Sequence, residues 1–184
     1  MNTRLISMLS ASILLTLATA RAEDWLPHLP AWQGDSEALI KAKSHPWVSP
    51  AELSGLKESP DYNTTIAYLR KLVDSSDLLE MEQFGTSAQG RALYLVKASA
   101  ALHKIAQNPQ RPLLLVQAGI HSGEIDGKDA GLMLLRDIAH GDKAKLLANA
   151  DLLFIPIFSA DGHERRSATN RMNQRGPVMQ GWRA

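Results

Sequence analysis

Apolar and polar positions divide the chain into segments of different period. After Asp61, Ile66, Leu69, Leu72 and Val73 recur at helical spacing, and Asn63-Thr64-Thr65 offers capping groups, which predicts a helix ending near Asp74. Leu78 to Phe84 alternates imperfectly, with Leu79, Met81 and Gln83 on one side. Arg91 to Lys97 carries Leu93, Tyr94, Leu95 and Val96. Gly85 and Gly90 bracket the residues between these two stretches, so they read as a hairpin. Pro112 to Ala118 contains the continuous apolar run Leu113-Leu114-Leu115-Val116, the mark of a strand buried on both faces. From Glu124, the residues Ile125, Ala130, Leu132, Met133, Leu135 and Ile138 predict a helix to about Ala139, followed by a helical stretch near Lys143 to Ala148. Leu152 to Ile157 is a further buried strand, with Pro156 near its end, where a missing N–H costs least. Strand, helix, strand in this order is a βαβ unit, and with the hairpin it predicts an α/β fold around a mixed, partly parallel sheet. After Asp161-Gly162 the chain reads as polar and irregular.

The segments before Asp61 behave differently. Arg4, the apolar stretch Leu5 to Leu17 and the small-x-small sites Ala18-Thr19-Ala20 and Ala20-Arg21-Ala22 predict a signal peptide cleaved after Ala22. The apolar stretch is shorter than the roughly 20 residues a spanning helix needs, so a secreted or periplasmic product with no membrane association after cleavage is expected. Residues 23–60 are punctuated by Pro27, Pro30, Pro46, Pro50 and Pro60, and read as an irregular leader with at most one short helix, near Ser36 to Lys43. Its tryptophans are expected to pack on the domain that follows, residues 61–184.

Composition narrows the chemistry. A net charge of +1 provides no basic field for nucleic acid. The chain has no cysteine, which rules out disulfides, thiolate metal sites and a cysteine nucleophile, so any metal must be held by nitrogen and oxygen from its six histidines and its carboxylates. His121 and Glu124 form the chain's single His-x-x-Glu. The motif falls where a buried strand ends and a helix begins, the place where open α/β sheets put their sites. Gly119 and Gly123 flank it. Imidazole and carboxylate are both zinc ligands, and catalytic zinc keeps three protein ligands and an open position. The alternative is a carboxylate capping a helix beside an incidental histidine.

From about Tyr62 onward the chain resembles the zinc carboxypeptidases, the carboxypeptidase A-like metallopeptidases. The resemblance rests on Gly85-Thr86-Ser87 with Gly90-Arg91, on Ala118-Gly119-Ile120-His121-Ser122-Gly123-Glu124, and on Ile155-Pro156-Ile157-Phe158 running to Asp161-Gly162. Asn170-Arg171 and Trp182-Arg183 follow in order. It implies a three-layer αβα sandwich and a zinc-dependent hydrolase cutting peptide bonds near the C-terminus through a metal-activated water. His121 and Glu124 would be the first two Zn2+ ligands and a peptide the substrate. Arg183 would be the residue that stabilises the oxyanion, with Arg171 as the alternative. Extra residues between Asn170-Arg171 and Trp182-Arg183 depart from the carboxypeptidase A pattern. The family's third ligand, its general-base glutamate, its tyrosine and its carboxylate clamp all lie further along than Ala184, so residues 1–184 are expected to be a truncated chain, inactive alone. His140 cannot replace the third ligand, since about 16 helical residues, or about 24 Å, separate it from Glu124. His163 reads as a loop residue near the site. Two rivals stand beside this reading, an aspartoacylase-like zinc amidohydrolase and a non-catalytic binding module or fragment. The DNA following the Ala184 codon discriminates between a cut chain and a natural stop.

Overall fold

A computed structural model describes residues 33–105, 107, 110–171 and 176–182. The predicted signal peptide therefore lies outside the described residues, as does Arg183. Among the described residues no helix is long and apolar enough to cross a membrane.

Among the described residues, four strands form one mixed sheet in the order β1-β2-β4-β3. Strands β1 (Leu79–Thr86) and β2 (Ala92–Ala98) make the expected antiparallel hairpin, with Leu79 opposite Ala98 and Thr86 opposite Ala92. Strand β2 continues antiparallel onto β4 (Asp151–Ile155), and β4 pairs in parallel with β3 (Leu113–Gln117). The parallel pair is joined by the long helix α3 (Asp126–His140) and a 3-10 stretch, Lys143–Ala148, which completes the βαβ unit. Helix α2 (Tyr62–Val73) precedes the hairpin. Its N-cap is Asp61, whose carboxylate accepts the Thr64 N–H at 2.7 Å, rather than any of Asn63, Thr64 and Thr65. Residues 63–65 are already inside the helix, where a side chain cannot cap its own start.

The register explains the core. Leu79, Val96, Ala98, Leu152 and Phe154 share one face of the sheet, because strand side chains alternate and these positions pair across it. Ile66, Leu69 and Leu72 of α2 and Leu132, Leu135 and Ile138 of α3 join them in a single buried cluster. The opposite face carries Lys97, paired with Glu80 at 2.9 Å and Glu82 at 2.7 Å, together with Leu113, Leu115 and Leu153. Strand β3 thus differs from its sequence expectation. Among the described residues it lies at the sheet edge rather than buried on both faces, and Leu114 and Leu115 are each 56% exposed. An apolar run cannot report burial on its own, since burial also needs a neighbouring strand on each side.

The segment before α2 holds more order than its prolines suggested. A 3-10 turn, Asp35–Leu39, is followed by a second short helix, α1 (Pro50–Leu53), beyond the single one expected. Ser49-Pro50-Ala51-Glu52 is a capping box with proline at the first helical position, a signature readable in the sequence. Glu52 also reaches Arg136 of α3, with its two oxygens at 2.7 and 2.6 Å from Nη1. Of the leader's tryptophans, Trp47 packs on the core as expected, stacking on the His140 ring at 3.7 Å, while Trp25 and Trp32 lie outside the described residues.

Beyond β4, residues Ala160–Glu164 form a short helix, α4, which contains Asp161-Gly162, and the described residues after it are irregular as expected, apart from one isolated bridge between Ser167 and Gln180. Helix α3 begins at Asp126, two residues after Glu124, which leaves the His-x-x-Glu on a turn ahead of the helix.

A candidate metal centre beyond the carboxyl end of a strand

The backbone leaves β3 still paired with its neighbour. Ala118 donates to the Ile155 carbonyl, Phe158 to Ala118, and Ser159 to Gly119, at 2.8, 3.0 and 2.9 Å. Gly119 then turns the chain at φ +60°, in the left-handed region, with the Ile157 backbone only 3.3 Å from where a Cβ would stand. Glycine is the residue that meets both demands. Ile120 and His121 project beyond the sheet, and the Glu124 N–H closes the turn on the His121 carbonyl at 2.8 Å. Ser122 is buried beneath the turn and donates to Ser159, reaching its hydroxyl at 2.9 Å. Trp182 joins the same junction through its N–H to the Gly162 carbonyl at 2.9 Å.

His121 Nδ1 and Glu124 Oε2 face each other at 3.0 Å. Both side chains are accessible, at 44% and 53% exposure, so the pair opens to solvent rather than into the core. The hydrogen bond to His121, and then the Arg171 guanidinium, hold the Glu124 carboxyl below the usual carboxylate range. A depressed carboxyl is ionised at neutral pH, the state a cation requires. Among the described residues, no third histidine or carboxylate joins the pair to make a group able to hold a metal ion.

The other sequence candidates fall elsewhere. His140 ends α3 against Trp47 and Ser75, with its Nε2 2.8 Å from the Ser75 hydroxyl. His163 is buried in α4 and shares Glu164 Oε1 with the Tyr62 N–H, at 2.8 and 2.9 Å. Burial pushes its imidazole pKa down, keeping it neutral and locked between α4 and α2.

Arg171 is the residue that spacing did not single out for this place. Its Nη1 approaches Glu124 Oε1 at 3.4 Å, and its side chain is only 3% exposed. It crosses directly over Gly123, where an added Cβ would stand 2.3 Å from Nε. The absence of a side chain at residue 123 was the available signal. The loop bearing Arg171 is pinned by Asn170, whose amide donates to the Arg165 and Gln180 carbonyls, both at 2.7 Å.

Two separated motif elements also meet. Asp161 accepts from the Ser87 hydroxyl at 2.7 Å, the Gln89 N–H at 3.0 Å and Arg91 Nη1 at 2.7 Å, tying the hairpin tip to α4. Desolvation works against the Asp161 charge, but the Ser87 and Arg91 contacts outweigh it and hold the carboxyl low.

A cavity of about 370 Å³ lies elsewhere, between α3 and the sheet, lined by Val116, Gly127, Ala130, Gly131, Leu134, Leu152 and Phe154. It contains no titratable group and is not part of the centre.

Residues 65–180 match the zinc carboxypeptidase family, and the chain belongs to it. Carboxypeptidase 2 of Trichophyton rubrum is 32% identical over 114 residues, covering 58% of this chain and 21% of the relative. Among solved structures, carboxypeptidase A from Helicoverpa armigera superposes with a TM-score of 0.53 at 20% identity, over 59% of this chain and 26% of that one. Bovine thrombin-activatable fibrinolysis inhibitor, solved with a tick carboxypeptidase inhibitor, gives 0.51 at 16% identity, over 70% and 38%. At these identities the superpositions speak for the α/β fold with its mixed sheet. The chain spans about a fifth of the length of the curated relative it matches.

Proposed function

We propose that this chain supplies the N-terminal, two-ligand part of the centre of a zinc-dependent metallocarboxypeptidase, an enzyme that hydrolyses peptide bonds near the C-terminus of a peptide substrate. The observation that carries this reading is the 3.0 Å approach of His121 Nδ1 to Glu124 Oε2, just beyond the carboxyl end of β3. The donor set fits the metal, since imidazole nitrogen and carboxylate oxygen both bind zinc at about 2.0–2.2 Å. When bound, zinc lowers the pKa of its water to about 7 and polarises a carbonyl.

The remaining work falls to the chain. His121 and Glu124 present their donors on a turn fixed by Gly119 and Ser122, and their exposure leaves an approach for a peptide. Arg183 follows Trp182, whose backbone is held to Gly162 beside the turn, and is the proposed group that steadies negative charge on the scissile carbonyl oxygen.

Two ligands do not make a three-ligand catalytic site. Residues 1–184 alone are therefore expected to release no C-terminal residue from peptides, whereas a chain continued to the length of its relatives should do so in a zinc-dependent manner. Mass spectrometry of peptide substrates reads both. No trimming by the longer chain would overturn the carboxypeptidase assignment. Trimming by residues 1–184 that Glu124→Ala abolishes would instead mean that a second copy completes the ligand set.

Export belongs to the same proposal. Arg4, the Leu5–Leu17 stretch and Ala20-Arg21-Ala22 motivate cleavage by a signal peptidase, which places the protein in the periplasm or outside the cell. N-terminal sequencing of the exported protein should begin at or near Glu23. Soluble cytosolic protein retaining Met1 would refute it.

A further inference from the structure

We propose that Arg171 is a positioning residue that holds Glu124 in its ligating orientation from beneath, and that residue 123 is glycine so that the guanidinium can pass. The inference rests on the zinc-site reading above and concerns how one of its ligands is held. Glu124 has two oxygens with different partners, Oε2 facing His121 at 3.0 Å and Oε1 facing Arg171 at 3.4 Å. The carboxylate plane is thereby fixed from both ends. An exposed glutamate on a turn otherwise samples several rotamers, most of which point away from His121.

Burial decides which kind of role Arg171 has. Its side chain is 3% exposed beneath a glutamate that is 53% exposed, so a peptide reaching the centre meets Glu124 before Arg171. The residue acts through Glu124 rather than on substrate. The glycine contact supports this independently. Residue 123 lies outside the left-handed region, so a side chain there is excluded by the arginine and not by backbone conformation. Asn170, clamped to two carbonyls, fixes the loop from which the arginine reaches. Partners that orient metal ligands in this way typically affect metal affinity by about 10–100-fold.

The test measures the zinc dissociation constant of the full chain by competition with a chromophoric chelator, with the thermal midpoint of each metal-free variant as a check on folding. Arg171→Ala should weaken zinc binding by about 10–100-fold. Gly123→Ala, which keeps the charge but displaces the guanidinium, should fall in the same range and decides the matter if Arg171→Ala does not fold. Arg171→Lys should recover part of the loss. In a Glu124→Ala background, Arg171→Ala should add less than about threefold, because the arginine then has nothing to orient. Unchanged or tighter zinc binding in Arg171→Ala and Gly123→Ala would overturn the inference while leaving the zinc site standing. So would an equal loss with and without Glu124, which would mark Arg171 as a support of the fold. If Glu124→Ala itself leaves zinc binding unchanged, the zinc-site reading fails, and the inference falls with it.

Discussion

Replacing His121 by alanine is expected to weaken zinc binding by at least about a hundredfold, the largest effect of any single substitution at the centre. Complete structural zinc sites are held with about 10–16 kcal/mol, shared among four ligands, so one imidazole accounts for a few kcal/mol. At His121 the loss is not offset, because among the described residues no third donor stands near the pair. Glu124→Ala should act in the same direction. Chelator competition followed by metal analysis of the purified variant reads the outcome. A His121→Ala protein with the zinc content of the parent would rule the histidine out as a ligand, whatever its proximity to Glu124.

The second large effect lies far from the metal. Arg136 is 1% exposed in the middle of α3, with two oxygens of Glu52, one of Asp137 and the Leu39 carbonyl around it. Glu52 in turn accepts the N–H groups of Lys41 and Ser49, at 2.8 and 2.7 Å. Removing Glu52 strips the buried Arg136 Nη1 of its carboxylate and leaves Asp137, on Nε, as the remaining counter-ion, and breaking a buried pair costs up to about 3–5 kcal/mol. Glu52→Ala should therefore destabilise the protein by about that amount, a large fraction of the roughly 5–15 kcal/mol typical of a domain. The double replacement Glu52→Leu with Arg136→Met should recover only part of the loss, since apolar isosteres remove both charges of the pair but leave Asp137 without Arg136. Urea unfolding of the three proteins checks this, and a loss below about 1 kcal/mol for Glu52→Ala would show that the pair is not a structural clamp. Desolvation opposes ionisation of Glu52, but the Lys41 and Ser49 N–H groups and Arg136 prevail and depress its pKa. A carboxyl lowered in the folded state adds stability above its unfolded pKa, about 4.3, and that contribution disappears as the pH falls through the folded value.

This clamp also marks where the sequence was hard to read. Local chemistry was legible. The 3.6-residue period of α2 and α3, the glycines at the ends of the hairpin and the His-x-x-Glu at a strand-to-helix turn all report on residues close in the chain, and the structure places each within a few positions of its expectation. The leader was harder, because Pro46 and Pro50 suggested irregular chain while Ser49 and Glu52 encoded a capping box. A helix of four residues has no periodicity to detect. Arg136 and Glu52 are 84 residues apart, and nothing local in either predicts that each finds the other. Arg171 met Glu124 across 47 residues for the same reason. The burial of β3 is not legible in Leu113 to Val116, because an apolar run states only what the strand prefers and not which neighbours cover it.

The position of β3 at the sheet edge has a consequence for how metal and fold communicate. Among the described residues, the strand that leads into the His121 turn pairs with β4 on one side, so the candidate pair is mounted on an element supported from that side. A cation held by His121 and Glu124 would favour the ordered turn over any opened form that separates them. By mass action, an ion at a hundred times its dissociation constant adds about 2.7 kcal/mol to whatever equilibrium keeps that turn closed. Metal supply and resistance to unravelling at this edge are thereby one thermodynamic variable. On the proposed zinc-site reading, the chain's resistance to unfolding at low zinc would be set at His121 and Glu124.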